Sequence, residues 1–345
     1  MQDQRRDYDP NGVGVDNGNF LGLPRVAEPG IVFVAVPFDV TVSYGRGTSG
    51  GPANVLAASR QLDVSLPGLD APHEIGFAWR DLGDDGIEAQ TEYVMARFDA
   101  EDVIRALEQG REPDADAVKR VNAASAAMNA AVLAAVDEVL VAGAFPVVVG
   151  GEHAVALGAY RALSNYEDAF GILQIDAHMD LRVAYEGFDF SHASVMDNAL
   201  VLPELRRLVQ VGIRDFCPEE LVRQRADPQR IKTYFDAELQ ARKFRGETWA
   251  SICEEIVAAL PHRVWISFDV DGLDPSLCMH TGTPVPGGLG FAEAQYLLRA
   301  VIDSGREVIG MDIVEVAPAP HEYEGSVAAR LAYDLACRAV LARRD

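Results

Sequence analysis

Apolar runs of strand length recur along this chain, and longer segments with helical period lie between them. No other feature of the sequence constrains the fold as strongly. The runs expected as strands are Ile31–Val36, Pro146–Val149, Gly171–Ile175, Leu208–Val211, Ile231–Phe235, Arg263–Phe268 and Val308–Ile313. The segments expected as helices include Ala115–Val141, Pro218–Arg225, Thr248–Ala259, Ala292–Ser304 and Ser326–Ala342. Near-continuous apolar strands are buried on both faces, and strand–helix alternation places helices there. The expected fold class is therefore α/β, with a parallel sheet covered on both sides.

Composition narrows the function classes. The chain has 345 residues, 49% of them hydrophobic, enough for a large core, and no linker divides it. Residues 1–30 read as a polar N-terminal extension, loose over about 1–28, and 31–345 as a single domain. The formal charge is −23. No basic stripe is present to neutralise phosphates, so nucleic acid is not an expected partner. Acidity of this kind, concentrated at Asp81–Asp116, favours solubility and steers cationic ligands inward. The cysteines Cys217, Cys253, Cys278 and Cys337 form no C-x-x-C pair, which argues against a disulfide framework or structural zinc. Arg5-Arg6 is not followed by an apolar export segment, and Asp137 and Glu138 interrupt the run Ala130–Val149. Neither export nor membrane insertion is expected, and the expected location is the cytoplasm.

Open parallel sheets bind ligands beyond the carboxyl ends of their strands. Chemically capable residues cluster at those ends. Gly150-Gly151-Glu152-His153 follows one strand, Asp176-Ala177-His178-Met179-Asp180 a second, and Asp269-Val270-Asp271 closes a third. In extended chain, residues two apart share a side, so Asp176, His178 and Asp180 should converge, as should Asp269 and Asp271. Carboxylates crowded at buried strand ends repel unless one is protonated or a cation lies among them. Two imidazoles and four carboxylates suit two divalent metals. Ligation rich in oxygen favours manganese, with cobalt and nickel chemically open. Water shared by two such ions loses a proton near neutral pH and becomes a nucleophile.

The chain resembles the ureohydrolase family, the arginases, agmatinases and their relatives. The matching stretches are VPFDVTVSYGRGTSGGP at 36–52, GGEHAVALG at 150–158, DAHMD at 176–180, SFDVDGLDPS at 267–276, TGTPVPGGL at 281–289 and MDIVEVAP at 311–318. The resemblance implies a three-layer α/β/α sandwich with a mostly parallel central sheet. It implies metal ligation by His153, Asp176, His178, Asp180, Asp269 and Asp271. It places His192 at the family's proton-shuttle position and Glu315 at its guanidinium-binding position, so that His192, Asp180 and Glu315 form the expected catalytic set. A trimer or hexamer, of one or more chain types, is also implied.

Local features are similar to an agmatinase-like branch, which also resembles nickel-dependent hydrolases of guanidine and of substituted biguanides. These features are Asn19–Pro24, Tyr185–Phe188 and Leu277–His280. The expected cofactors are thus two Mn2+ or Ni2+ ions, and the expected substrate is a small cationic guanidine-type compound. The patterns with which arginases hold an amino acid's α-groups are missing, so arginine is not expected. Tyr185, Glu186, His280, His321 and Glu322 are the candidate pocket walls. Two competing readings are a one-zinc deacetylase on the same fold and a non-catalytic or obligate partner subunit of a hetero-oligomer. The complete ligand set argues against both.

Overall fold

Side chains branched at Cβ or aromatic dominate the segments that become strands, as a half-crowded pleated surface favours. The computed structural model describes residues 8–83 and 91–343. Among these, eight strands form one all-parallel sheet: β1 (Ile31–Val36), β2 (Phe77–Asp81), β3 (Phe145–Gly150), β4 (Phe170–Ile175), β5 (Leu205–Ile213), β6 (Ile231–Phe235), β7 (Arg263–Asp269) and β8 (Glu307–Val314). Their spatial order is β2-β1-β3-β8-β7-β4-β5-β6. Every pairing is parallel, for example Val147 with Met311 and Phe268 with Ile313. Seven strands fall on the expected apolar runs. The unexpected one, β2, reads Phe-Ala-Trp-Arg-Asp and lies at the sheet edge, where only Phe77 is fully buried. An edge strand pairs on one side and needs no continuous apolar run.

Alternate residues of each strand enter two cores. Ile31 and Phe33 of β1 join Val147, Ile266 and Met311 on one face. That face is covered by α1 (Gly51–Ser59), α7 (Asp236–Phe244), α8 (Trp249–Ala258), α9 (Phe291–Asp303) and α10 (Tyr323–Ala342). Val34 and Val36 join Val148, Ile172 and Trp265 on the other. There the cover is α2 (Thr91–Glu108), α3 (Ala115–Val141), α4 (Ala156–Leu163), α5 (Val195–Ala199) and, through Leu221, α6 (Pro218–Ala226). The result is a three-layer α/β/α sandwich.

α3 begins where Asp114 caps it by accepting the Asp116 N–H. It is long and apolar enough to cross a membrane by length and composition alone. Here its stripe Val121, Met128, Val132 and Val136 is buried against the second core, and it packs between α2 and α4.

The N-terminal segment expected to be loose is packed over Asn19–Leu23. Phe20 is fully buried and stacks on Phe33 with ring centroids 4.0 Å apart. The Asn19 amide donates to the Phe77 and Leu23 carbonyls, each at 3.0 Å. The polar flanks of the segment hid one aromatic anchor and a buried amide that fastens it to β2. Arg5-Arg6 and residues 84–90 of the acidic stretch lie outside the described residues.

Candidate metal centre

The centre is built at the carboxyl ends of β3, β8, β7 and β4, the four middle strands. After β3 the chain turns sharply against the segment following β1: the Glu152 N–H donates to the Phe38 carbonyl at 2.8 Å. A Cβ at Gly151 would stand 2.0 Å from that same carbonyl oxygen, so only glycine fits. This turn delivers His153 inward, fully buried.

His153 Nδ1 faces the carboxylates of Asp180, Asp176 and Asp269 at 2.9, 3.1 and 3.4 Å. It is buried, yet it makes no hydrogen bond. Its other ring nitrogen, Nε2, stands 2.8 Å from Ser267 Oγ. Ser267 donates to Asp312 Oδ1 at 2.9 Å, so its oxygen is free to accept from Nε2–H. A hydrogen on Nε2 would then leave Nδ1 to offer its lone pair to a cation held among three carboxylates. That is a ligand's tautomer, fixed from behind as metal-binding histidines are. Tyr160 and Trp265 complete the support by donating to Asp312 Oδ2 at 3.1 and 2.6 Å.

A second group adjoins the first. His178 Nδ1 lies 3.0 Å from Asp271 Oδ2 and 3.5 Å from Asp176 Oδ1. Ligand atoms of His153, Asp176 and Asp269, and likewise of Asp176, His178 and Asp271, fall within 4.8 Å of one another. Asp176 belongs to both groups, one oxygen toward each histidine. Gln174 Nε2 and the His178 N–H hold its two oxygens at 2.7 and 2.6 Å. A buried imidazole nitrogen without a hydrogen bond, beside a carboxylate shared by two ligand clusters, fits a pair of divalent cations.

The expected convergence of residues two apart arises differently from an extended strand. β4 ends at Ile175, and Asp180 reaches His153 because its φ is +54°. Asp271 sits in the short 3-10 turn Val270–Gly272, its N–H bonded to Asp269 Oδ1 at 2.8 Å. Glu315, just past β8, has φ +63°. Non-glycine residues in the left-handed region cost on the order of 1 kcal/mol or more and persist where surroundings enforce them. The Glu315 N–H is tied to the Gly151 carbonyl at 2.8 Å, and its Oε1 accepts the His153 N–H at 2.8 Å. A Cβ on Gly282 would approach Oε2 to 3.1 Å, so that oxygen borders the TGTP turn.

Protonation follows from crowding. In the protein alone, burial and then the Asp176 charge raise Asp180 to about 7. Burial, followed by the charges of Asp271 and Asp176, raises Asp269. Burial outweighs the His153 N–H bond and raises Glu315 to about 8. For His153 burial opposes charge, but the neighbouring carboxylates of Asp176, Asp180 and Asp269 prevail and raise it; Asp271 and Asp176 do the same for His178. Asp176 moves oppositely: burial is outweighed by its bonds to both histidines, which lower it.

The raised groups hold protons in the folded chain that the unfolded chain would release. Their stabilisation is present at low pH and is lost as pH climbs toward about 8. Divalent metal replaces those protons. The rise in melting temperature on adding manganese or nickel is expected to widen between about pH 5 and about pH 8. Thermal melts with and without metal check this, and a gap that shrinks with pH would contradict the site.

The cleft above the two groups has a volume of about 140 Å³ and is walled by Ser43, Arg182, Tyr185, His192, Asp215, Phe216 and Thr283, among others. His192 meets Tyr185 edge-on, centroids 6.0 Å apart, and burial lowers it to about 4. Glu186 is half-buried, raised to about 7 by burial and then by Glu108. The structure does not bring His280 to this wall. Its Nδ1 lies 2.7 Å from Glu324 Oε1, and the side chain is half exposed. His321 and Glu322 are exposed just before α10. Sequence reasoning assigned no role to Gln174, Ser267, Asp312 or Arg214, although Ser267 lies inside a quoted motif. Arg214 Nη2 clamps the turn after β7 by donating to the Asp271 and Leu273 carbonyls at 2.6 and 3.1 Å.

The model of the Arginase family matches residues 29–342. The chain belongs to the arginase family. It is thus a ureohydrolase, a hydrolase of non-peptide C–N bonds in linear amidines. It is 33% identical over 308 residues to the N(1)-aminopropylagmatine ureohydrolase of Thermus thermophilus, covering 89% of each chain. It is 27% identical to the guanidinobutyrase of Pseudomonas aeruginosa, covering 92% of this chain and 90% of the relative. Among solved structures, the agmatine ureohydrolase of Thermoplasma volcanium superposes with a TM-score of 0.69 at 25% identity, covering 90% of both chains. These relatives share the ureohydrolase class and differ in the guanidine compound that their names carry.

Proposed function

We propose that the chain hydrolyses a C–N bond of a small guanidine-type compound at a two-metal centre, with water adding and urea and an amine or ammonia leaving. The observation that carries this reading is Asp176, shared by two ligand clusters beneath a cleft that also presents His192, with Glu315 bonded to the His153 backbone. His153, Asp176, Asp180 and Asp269 would hold one ion, and Asp176, His178 and Asp271 the other. When bound, two Mn2+ or Ni2+ ions supply positive charge against the developing oxyanion and lower the pKa of water.

The chain's own residues do the rest. Glu315 accepts guanidinium N–H groups on its carboxylate and thereby orients the central carbon for attack by water. Asp180 holds the attacking water by a hydrogen bond. His192 carries a proton to the departing nitrogen, which leaves as the free amine. Tyr185 shapes the outer cleft, whose volume of about 140 Å³ suits a compact substrate, and Glu186 follows it in the chain without lining the cleft. The four cysteines are all free thiols, which supports a reducing, cytoplasmic setting. We assign the trimer or hexamer to the same reading; light scattering after gel filtration tests it.

The deciding assay offers agmatine, free guanidine, 4-guanidinobutyrate, arginine and a dimethylated biguanide to the purified chain, reconstituted separately with manganese and nickel. Urea, ammonia and amine are all measured. Turnover of one guanidine with stoichiometric urea is expected. Silence with both ions bound would overturn the reading.

A further inference from the structure

Glu152 is a fully buried carboxylate that the chemistry above does not use. Its hydrogen-bond partners both come from Thr41. The Thr41 N–H donates to Oε2 at 2.8 Å, and the Thr41 hydroxyl lies 2.9 Å from Oε1. Thr41 is itself fully buried, on the loop after β1. Its Oγ1 accepts the His192 N–H at 3.1 Å and stands 3.4 Å from His192 Nδ1. One hydroxyl therefore meets both the backbone and the ring of the residue that must move a proton.

We propose that Thr41, anchored by Glu152, is the positioning residue that pins Nδ1 of His192, locks the ring in one tautomer and leaves Nε2 to serve the cleft. A hydroxyl has one hydrogen and two lone pairs. The lone pair filled by the His192 N–H fixes where Oγ1 sits, and Glu152 fixes how its hydrogen is shared. Tyr185, edge-on at 6.0 Å and 90°, limits rotation of the ring from another side. A histidine that flips or changes tautomer presents the wrong nitrogen to the substrate and cannot exchange its proton in place. The anchor is long-range: Thr41 and His192 are 151 residues apart, and Thr41 and Glu152 are 111 apart. It ties the loops after β1 and β3 to the turn before α5.

The test compares Thr41→Val, which keeps the branched shape without the hydroxyl, with Thr41→Ser, which keeps the hydroxyl. Thr41→Ala, with room for water beside Glu152, replaces Thr41→Val if that variant does not fold. Histidine-selective 15N spectra of zinc-loaded protein, with the ring assigned through His192→Asn, read the tautomer without any turnover. Wild type and Thr41→Ser are expected to show one locked tautomer, and the Val or Ala variant an averaged one. In the activity arm, which rests on the proposed guanidine hydrolysis, kcat should fall about 10- to 100-fold in Val or Ala with KM nearly unchanged. The loss should deepen for substrates with more basic leaving amines, and Ser should restore the rate. Ring shifts and kcat unaffected by loss of the hydroxyl would overturn the assignment. Wild-type silence toward every guanidine would sink the functional reading alone, because the spectra would still judge the anchor.

Discussion

Asp176→Asn is expected to strip at least one ion from the centre and to lower turnover by roughly 10³-fold or more, as removal of one member of an interdependent set does. The reason lies in how both oxygens are used. Oδ2 faces His153 and accepts from Gln174 Nε2 at 2.7 Å, while Oδ1 faces His178 and accepts the His178 N–H at 2.6 Å. An amide nitrogen in either place would point a donor at a donor. Neither orientation of asparagine satisfies both neighbours, and one of the two clusters also loses its shared ligand. Atomic emission on dialysed protein, together with the turnover assay, measures both effects. Two ions retained per chain with near-normal turnover would rule out Asp176 as a shared ligand.

Glu315→Gln should separate binding of the guanidinium from binding of metal. The amide oxygen can still accept the His153 N–H, the bond now made at 2.8 Å, so the backbone turn survives. What disappears is the negative charge that, on the proposed reading, receives the guanidinium. Breaking a buried, hydrogen-bonded charge pair costs about 2–5 kcal/mol, or roughly 30- to 5,000-fold in kcat/KM. Metal content should stay at the wild-type level. A variant that loses metal instead would show that Glu315 supports the cluster rather than the substrate.

How much of this was legible before the structure depended on the range of each interaction. β3, β4 and β7 were readable because the burial of both sheet faces is written locally, as in Val147-Val148-Val149. α3 was readable from its helical period, and the structure adds Asp114 as its cap. The short helices α1, α4 and α7 were not, because eight or nine residues carry little periodic signal and tertiary packing decides them, whereas α6, equally short, was expected as Pro218–Arg225. Asp176, His178 and Asp180 were legible as a group, yet the reason given for their meeting was only half right. Strand alternation stops at Ile175, and a left-handed residue turns Asp180 inward. His280 looked like a pocket wall because it precedes the TGTP turn. A carboxylate from α10, 44 residues onward, holds it elsewhere. Glu152 was in plain view beside His153, but nothing in its neighbourhood points to Thr41. Contacts between distant loops leave no local pattern to read.

The sheet order has a consequence for how the molecule is made. Of the eight described strands β8 leaves the ribosome last, yet it occupies the middle of the sheet, between β3 and β7. Until it inserts, the earlier strands can form only two partial sheets, β2-β1-β3 and β7-β4-β5-β6, with the flanks of β3 and β7 unpaired. Such flanks are sticky templates for other strands, and pairings this distant in sequence form slowly. Threading the final strand both closes those flanks and brings Glu315 to His153. Until then His153, carried by β3, stays apart from the five acidic and histidine side chains carried by β4 and β7, so assembly of the centre is bound to insertion of β8.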